Sequence, residues 1–178
     1  QNADLFLYNG AGVDSWADKL VKNNPQVAAK SLNMASFFSL IPFSGELEEE
    51  EEESKEIKQP GTADPHIWLD PLLAQQEVQL IREAFIKADP SHEDVYKKNA
   101  DAYLARLQDL DSQFRIGMAS CQRKEIVTSH AAFGYLAKRY NLVQISIAGL
   151  SPYEEPSAQQ LARIVELVKR HQIQYIFF

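Results

Sequence analysis

Residues 125–147 read EIVTSHAAFGYLAKRYNLVQISI, and this stretch decides the fold class of the chain. Its apolar and polar residues change from strand-like to helical spacing and back again. The same alternation continues toward the end of the chain. Strand, helix, strand, helix and strand are predicted at 125–129, 131–140, 142–147, 158–170 and 173–178. Because such an order requires crossover connections, it predicts a parallel sheet with helices packed on it.

The beginning of the chain shows the same alternation of strand and helix. DLFLY at residues 4–8 predicts a strand, residues 13–23 a helix, and residues 27–33 a second strand. Asp70-Pro71 then predicts a helix start, since aspartate can cap free backbone amides and proline suits the first helical position. The whole chain is therefore predicted to be an α/β protein with parallel sheets flanked by helices.

A long helix is predicted between these two parts. Ser91 and Asp94 resemble a capping box after Asp89-Pro90, and apolar residues continue at helical spacing to about residue 118. At about 1.5 Å per residue this helix would be roughly 40 Å long, enough to brace two lobes. We therefore predict a partial first lobe at 1–90, a linking helix at 91–120 and a partial second lobe at 121–178.

Composition excludes several classes of function. The 178 residues are 45% hydrophobic and 24% charged, which is typical of a globular protein. A net charge of -7 lacks the positive field that binding to nucleic acid or an anionic membrane needs. The single cysteine, Cys121, excludes an intramolecular disulfide and a cysteine-rich zinc site. Since the chain has no starting Met or signal peptide and stops within an apolar run at Phe178, we expect a fragment, truncated at both ends.

His66 and His130 are the candidate metal ligands. His130 follows a predicted buried strand, at the end of a parallel sheet where ligands bind, and the helix predicted after it would favour a neutral imidazole. His66 lies in DPHIWLDP, where Pro65 restricts the backbone and Trp68 can pack beside the ring. Neutral imidazoles suit Zn(II) and, less well, Mn(II), Fe(II) or Ni(II), although two ligands do not complete a site.

The histidines also have a plainer interpretation. A histidine at the end of a strand is often a hydrogen-bonded structural residue, and the residues alone leave this alternative open for His66 and His130. The other two histidines, His92 and His171, are predicted to lie on the surface at helix ends.

Four motifs together resemble a known family. In order, they are QNADLFLYNGAGVDSW, ADPHIWLDPLLA, TSHAAFGYLAKRYNL and IAGLSPYEEPSAQQL. The chain resembles the zinc- and manganese-binding substrate-binding proteins of bacterial ABC importers over nearly its whole length. DPHIWLDP and GLSPYEEPSA favour the zinc branch of that family.

The resemblance implies both a fold and a function. It implies two α/β lobes joined by a rigid helix, with the ion between the lobes and with His66 and His130 among its ligands. It further implies a non-enzymatic monomer that binds Zn(II), or alternatively Mn(II), and delivers the ion to a membrane permease. Such a receptor is extracytoplasmic, either periplasmic or lipid-anchored.

The same resemblance places two more ligands outside the chain. The family's first histidine ligand lies upstream of the motif that starts at Gln1, and its last carboxylate ligand lies beyond Phe178. We therefore expect weak or incomplete metal binding by residues 1–178 alone.

An acidic tract occupies the position of the family's histidine-rich loop. Residues 46–56 hold eight Glu and one Lys within a predicted loop at 44–62, and without this tract the chain is neutral. Two interpretations stay open: the tract attracts cations electrostatically, or it is a solvated, disordered insert. Its cation-attracting residues would be six consecutive glutamates, Glu48, Glu49, Glu50, Glu51, Glu52 and Glu53.

Two other functions would also use a bound metal ion. A zinc hydrolase would need a general base such as Glu154 or Glu155, and no H-E-x-x-H spacing is present. A metal-dependent adhesin is also compatible with the resemblance, and the sequence does not distinguish it from a transport receptor.

Overall fold

A computed structural model describes residues 3–43, 63–150, 157–170 and 172–177. The helices among these residues are α1 (Ser15–Asn23), α2 (Pro25–Ala28), α3 (Pro71–Ala88), α4 (Glu93–Ala119), α5 (Gly134–Tyr140) and α6 (Ala158–Arg170). The strands are β1 (Phe6–Tyr8), β2 (Ser31–Asn33), β3 (Glu125–Thr128), β4 (Val143–Ser146) and β5 (Ile176–Phe177).

The strands form two parallel sheets. In the first sheet β1 pairs with β2, with Leu7 opposite Leu32. In the second sheet β3 lies between β4 and β5, and fully buried Val127 is opposite both Ile145 and Ile176. The predicted α/β fold with parallel sheets flanked by helices is therefore confirmed. The lobe boundaries at 1–90, 91–120 and 121–178 stay a prediction.

Helices α3 and α4 form the long helical part of the molecule. They pack against each other, and Phe85 lies with its ring centre 5.3 Å from that of Tyr96 near their junction. Helix α4 has 27 residues and is about 40 Å long, which confirms the predicted long helix. No helix within the described ranges has a stretch long and apolar enough to cross a membrane.

The predicted cap of α3 is present, whereas that of α4 is not. The carboxylate of Asp70 accepts a hydrogen bond from the Leu72 amide at 2.9 Å, and Pro71 occupies the first helical position. Ser91 does not cap α4, because a 3-10 turn at Pro90–His92 precedes the helix and the Ser91 hydroxyl donates to Asp89 instead. The predicted capping box is therefore wrong.

The strand predicted at 27–33 is also too long. Its first residues belong to α2, where the Asn24 side chain accepts from the amides of Gln26 and Val27 and Pro25 starts the helix. Only Ser31–Asn33 forms the strand. Asn24-Pro25 thus ends α1 and also starts a second, short helix.

Two buried aspartates fasten α5 to the long helices. Asp70, at the start of α3, accepts from Arg139 Nε at 2.8 Å. Asp111, within α4, accepts from the Tyr140 hydroxyl at 3.0 Å and from Arg115 Nε at 2.8 Å. The second sheet and its helix are thereby joined to α3 and α4 through charged, hydrogen-bonded contacts.

Cys121 and Trp16 are both exposed. Cys121 follows the end of α4. Trp16, on α1, is 61% exposed, and its ring centre lies 6.0 Å from that of Phe6 in an edge contact.

A buried carboxyl group on α3 makes the stability of the protein dependent on pH. Glu77 is 9% exposed, and burial raises its pKa to about 7. The folded state therefore binds this proton more tightly than the unfolded state, so the stabilisation is complete below about pH 4.5 and is lost as pH rises through 7.

We expect Glu77→Gln to raise the free energy of unfolding by roughly 1–3 kcal/mol at pH 8 and to change it little at pH 5. Urea unfolding at both pH values measures this difference. Glu83→Gln, on the same helix but in an exposed pair with Arg82, is the control and should give no such pH-dependent gain. A Glu77→Gln variant with equal effects at both pH values would contradict the prediction.

Candidate metal centre

His66 is held in a rigid, buried segment just before α3. His66 is 6% exposed and immediately precedes a 3-10 turn at Ile67–Leu69. The carboxylate of Asp64 accepts from the His66 amide at 2.9 Å and lies 2.8 Å from its Nδ1. This contact favours a proton on Nδ1 of the neutral ring, so that Nε2 keeps its lone pair for a metal.

The main chain around His66 is fixed from two sides. The Asn9 side-chain amide, after β1, donates to the Pro65 carbonyl at 3.2 Å. The Tyr135 hydroxyl, from α5, donates to the Asp64 carbonyl at 2.7 Å. The ring of Trp68 lies beside the imidazole with its centre 5.3 Å away, as the sequence predicted. Little movement of His66 is therefore needed before a ligand binds.

His130 follows β3 in a turn with its own hydrogen bonds. Its carbonyl accepts from the Thr128 hydroxyl at 2.8 Å, the Ala132 amide at 2.9 Å and the Gln144 side-chain amide at 3.2 Å. Thr128 is nearly inaccessible, and Gln144 comes from the neighbouring strand β4. The end of the second sheet thus fixes where the His130 ring can lie.

The helix after His130 starts later than predicted. A helix was expected from about residue 131, but α5 begins at Gly134, because residues 131–133 continue the turn. His130 therefore does not lie at a helix N-terminus, and a helix dipole does not keep it neutral. Burial does so instead and lowers the pKa of His130, with a smaller contribution from the positive charge that His66 can carry.

The two imidazoles lie side by side although 64 positions separate them in sequence. Their ring centres are 5.6 Å apart and their planes are inclined by 63°. With about 2.0–2.1 Å from a zinc ion to each nitrogen, two rings on one tetrahedral ion have centres roughly 5 Å apart. The observed separation therefore fits a shared ion after a small adjustment.

The described residues supply two imidazoles to the candidate metal site. Among residues 3–43, 63–150, 157–170 and 172–177, no group of three His, Cys, Asp or Glu side chains is arranged to hold a metal. The Asp64 carboxylate lies 2.8 Å from His66 Nδ1 and supports that imidazole. A tetrahedral site would require further ligands.

Several predicted residues do not join the pair. The side chain of His92 is largely exposed, as predicted, and its Nδ1 lies 2.6 Å from the Asp89 carboxylate. The other residues lie outside the described part of the chain. They are His171, the loop residues Glu154 and Glu155, and the acidic tract with Glu48, Glu49, Glu50, Glu51, Glu52 and Glu53.

Sequence reasoning missed two residues that support the site. Asp64 had a local signal, since an acid two residues before a histidine can bond its Nδ1 and amide. Tyr135 had no local signal in the sequence, because it is 71 positions from the Asp64 carbonyl to which its hydroxyl donates.

Comparison with known proteins identifies the family. The model of a family described as zinc-uptake complex component A, periplasmic, matches residues 1–178, the whole chain. The chain belongs to this family. Membership confirms the resemblance to the zinc branch, and it confirms the prediction of a non-enzymatic protein, since the role that the family's description gives is zinc uptake.

Two curated relatives resemble the chain along its entire length. A high-affinity zinc uptake system protein ZnuA of Bacillus subtilis is 42% identical over 178 residues, all of this chain and 56% of the relative. A zinc-binding lipoprotein AdcA of Streptococcus pneumoniae is 38% identical over the same residues, 35% of its length. The chain thus spans about half or less of these relatives.

A solved structure has a similar fold. The laminin-binding protein Lmb of Streptococcus agalactiae is described as a bifunctional protein with adhesin and metal-transporting activity. It superposes with a TM-score of 0.80 at 32% identity, over 99% of this chain and 61% of Lmb. The chain therefore shares its α/β architecture with Lmb.

Proposed function

We propose that the protein containing this chain is the zinc-binding receptor of an ABC importer, which captures Zn(II) and delivers it to a membrane permease. His66 and His130 are two of the ligands in this proposal. The observation that carries it is the 5.6 Å separation of two imidazoles that come from distant parts of a zinc-uptake family member. Zinc is the transported substrate, so binding and release replace any chemical step.

The chemistry of the pair favours zinc over manganese. Imidazole nitrogens suit Zn(II), whereas Mn(II) prefers carboxylate and water oxygens. Asp64 leaves Nε2 of His66 available, and the lowered pKa of His130 reduces competition from protons near neutral pH. A manganese receptor is the alternative within the same family.

The protein would act outside the cytoplasm, together with a membrane permease. The family description names the periplasm and one relative is a lipoprotein, which supports an extracytoplasmic receptor, free or lipid-anchored. The partner would be the importer's permease, and the receptor would act as a monomer. We further propose that residues 1–90 and 121–178 belong to two lobes, joined by the helix within 91–120, with the ion between them.

Zinc-limited growth tests the transport function. Cells that lack the gene should grow poorly with a zinc chelator, and the full-length gene should restore both growth and uptake of radioactive zinc. Added zinc should replace the gene, whereas added manganese should not. Equal zinc uptake with and without the gene would contradict the proposal, and rescue by manganese alone would favour the alternative ion.

Adhesion is a second candidate function because Lmb combines it with metal transport. If this protein shares that property, the full-length protein should bind immobilised laminin, and binding should be compared with and without zinc. Binding no stronger than to an albumin-coated surface would remove this candidate and leave the transport proposal intact.

A further inference from the structure

The start of α5 contacts the segment that carries His66. Tyr135 is buried, and its hydroxyl donates to the Asp64 carbonyl at 2.7 Å while accepting from the Ile41 amide at 3.2 Å. One hydroxyl therefore connects α5 to two main-chain segments on the side of the first sheet. A phenylalanine there would leave the part-buried Ile41 amide and the buried Asp64 carbonyl without this partner.

The residue before Tyr135 touches the side chain of the same aspartate. A Cβ added to Gly134 would lie 2.5 Å from Oδ2 of Asp64, closer than atoms can approach without movement. The other oxygen of this carboxylate, Oδ1, holds the amide and Nδ1 of His66. Glycine is a poor helix former, so its presence at the first position of α5 is explained better by this close approach than by helix propensity.

Both contacts come from the element that follows His130 in sequence. His130 precedes Gly134 by four residues, and its own carbonyl is fixed by Thr128 and Gln144. The turn that positions one imidazole therefore continues into the helix that positions the other through Asp64. This arrangement links the orientation of His66 to the location of His130.

We propose that Gly134 and Tyr135 are positioning residues for zinc binding, because they hold Asp64 and thereby keep the His66 ring at the distance from His130 that a shared ion requires. This inference rests on the proposed function, in which both imidazoles bind zinc. Neither residue touches the ion; Gly134 leaves room for the Asp64 carboxylate, and Tyr135 fixes the Asp64 main chain.

Tyr135→Phe in the full-length protein is the main test. Zinc affinity, measured by competition with a chromophoric chelator, should fall about 10- to 100-fold, as for other residues that orient a metal ligand. Tyr140→Phe is the matched control, since it removes a second buried hydroxyl of α5 that binds Asp111 and not the His66 segment. Its zinc affinity should stay within twofold, and urea unfolding of both variants establishes that they fold.

Gly134→Ala gives an independent second variant. The added methyl group should displace the Asp64 carboxylate and weaken zinc binding by a similar factor, although alanine favours the helix. The absorption bands of bound Co(II), which report the geometry of the ligands, should change in Gly134→Ala and Tyr135→Phe but not in Tyr140→Phe. Unchanged bands and affinity in both positioning variants would overturn the inference.

A double-mutant cycle separates positioning from general destabilisation. In a His66→Ala background the Tyr135→Phe substitution should change zinc affinity by less than twofold, because the ligand that it orients is absent. A full effect in that background would overturn the inference. If His66→Ala and His130→Ala leave the wild-type zinc affinity unchanged, the proposed function itself fails. If these two variants weaken zinc binding but Gly134→Ala and Tyr135→Phe do not, the positioning role alone fails.

Discussion

Replacing His66 or His130 by alanine is expected to weaken zinc binding by the full-length protein about 100- to 1000-fold. Zinc sites of four ligands bind with about 10–16 kcal/mol, or roughly 3 kcal/mol for each ligand, and each 1.4 kcal/mol is about a tenfold change in affinity. Both rings lie in a geometry that fits one ion, so each variant should lose a comparable share. Calorimetric titration with a competing chelator measures the change.

His92→Ala is the matched control for these two variants. Its imidazole is exposed and bonds Asp89 at the junction of α3 and α4, away from the pair. Zinc affinity should therefore stay within about twofold of that of the wild type. A His130→Ala variant that binds zinc as tightly as His92→Ala would contradict the assignment of His130 as a ligand.

The largest expected loss of stability follows from Asp70→Ala. Asp70 is 2% exposed, caps α3 through the Leu72 amide and accepts from Arg139 of α5. Its removal leaves the Leu72 amide without its side-chain acceptor and the Arg139 guanidinium without its partner. We expect the free energy of unfolding to fall by about 2–4 kcal/mol, from the lost cap and the lost hydrogen bond between charged groups.

Urea unfolding at neutral pH measures this loss, with Asp89→Ala as the comparison. Asp89 also bonds several neighbours, Ser91, His92 and Tyr96, but its side chain is partly exposed, so water can replace these contacts. Asp89→Ala should lower the free energy of unfolding far less than Asp70→Ala. Equal losses in the two variants would contradict the larger contribution expected from the buried Asp70 carboxylate.

Local sequence signals were sufficient for most of the architecture. Asp70-Pro71 starts α3 as expected, and the alternation at 125–147 produces β3, α5 and β4. The parallel-sheet rule also explains why a histidine at the end of β3 is a candidate ligand. Where two local signals overlapped, as at Asn24-Pro25, the pattern alone did not reveal that one helix ends and another begins.

The contacts that complete the site had no local signature. Tyr135 and Asp64 are separated by 71 positions, and Arg139 and Asp70 by 69. Neither pair follows a helical or strand period, because each depends on how α5 packs against the segment around α3. The start of α5 was misplaced for a related reason: residues 131–133 satisfy the helical pattern but are used by the turn that fixes His130.

The position of Trp68 would allow the proposed metal binding at His66 to be followed by fluorescence. Its indole is 39% exposed and lies 5.3 Å from the imidazole of His66, whereas Trp16 lies on a separate helix, α1. Indole emission depends on the charge and polarity of its immediate surroundings, and an ion arriving at the neighbouring ring alters both. If His66 binds zinc as proposed, Trp68 would report that binding by its fluorescence, and Trp16 would supply the background signal.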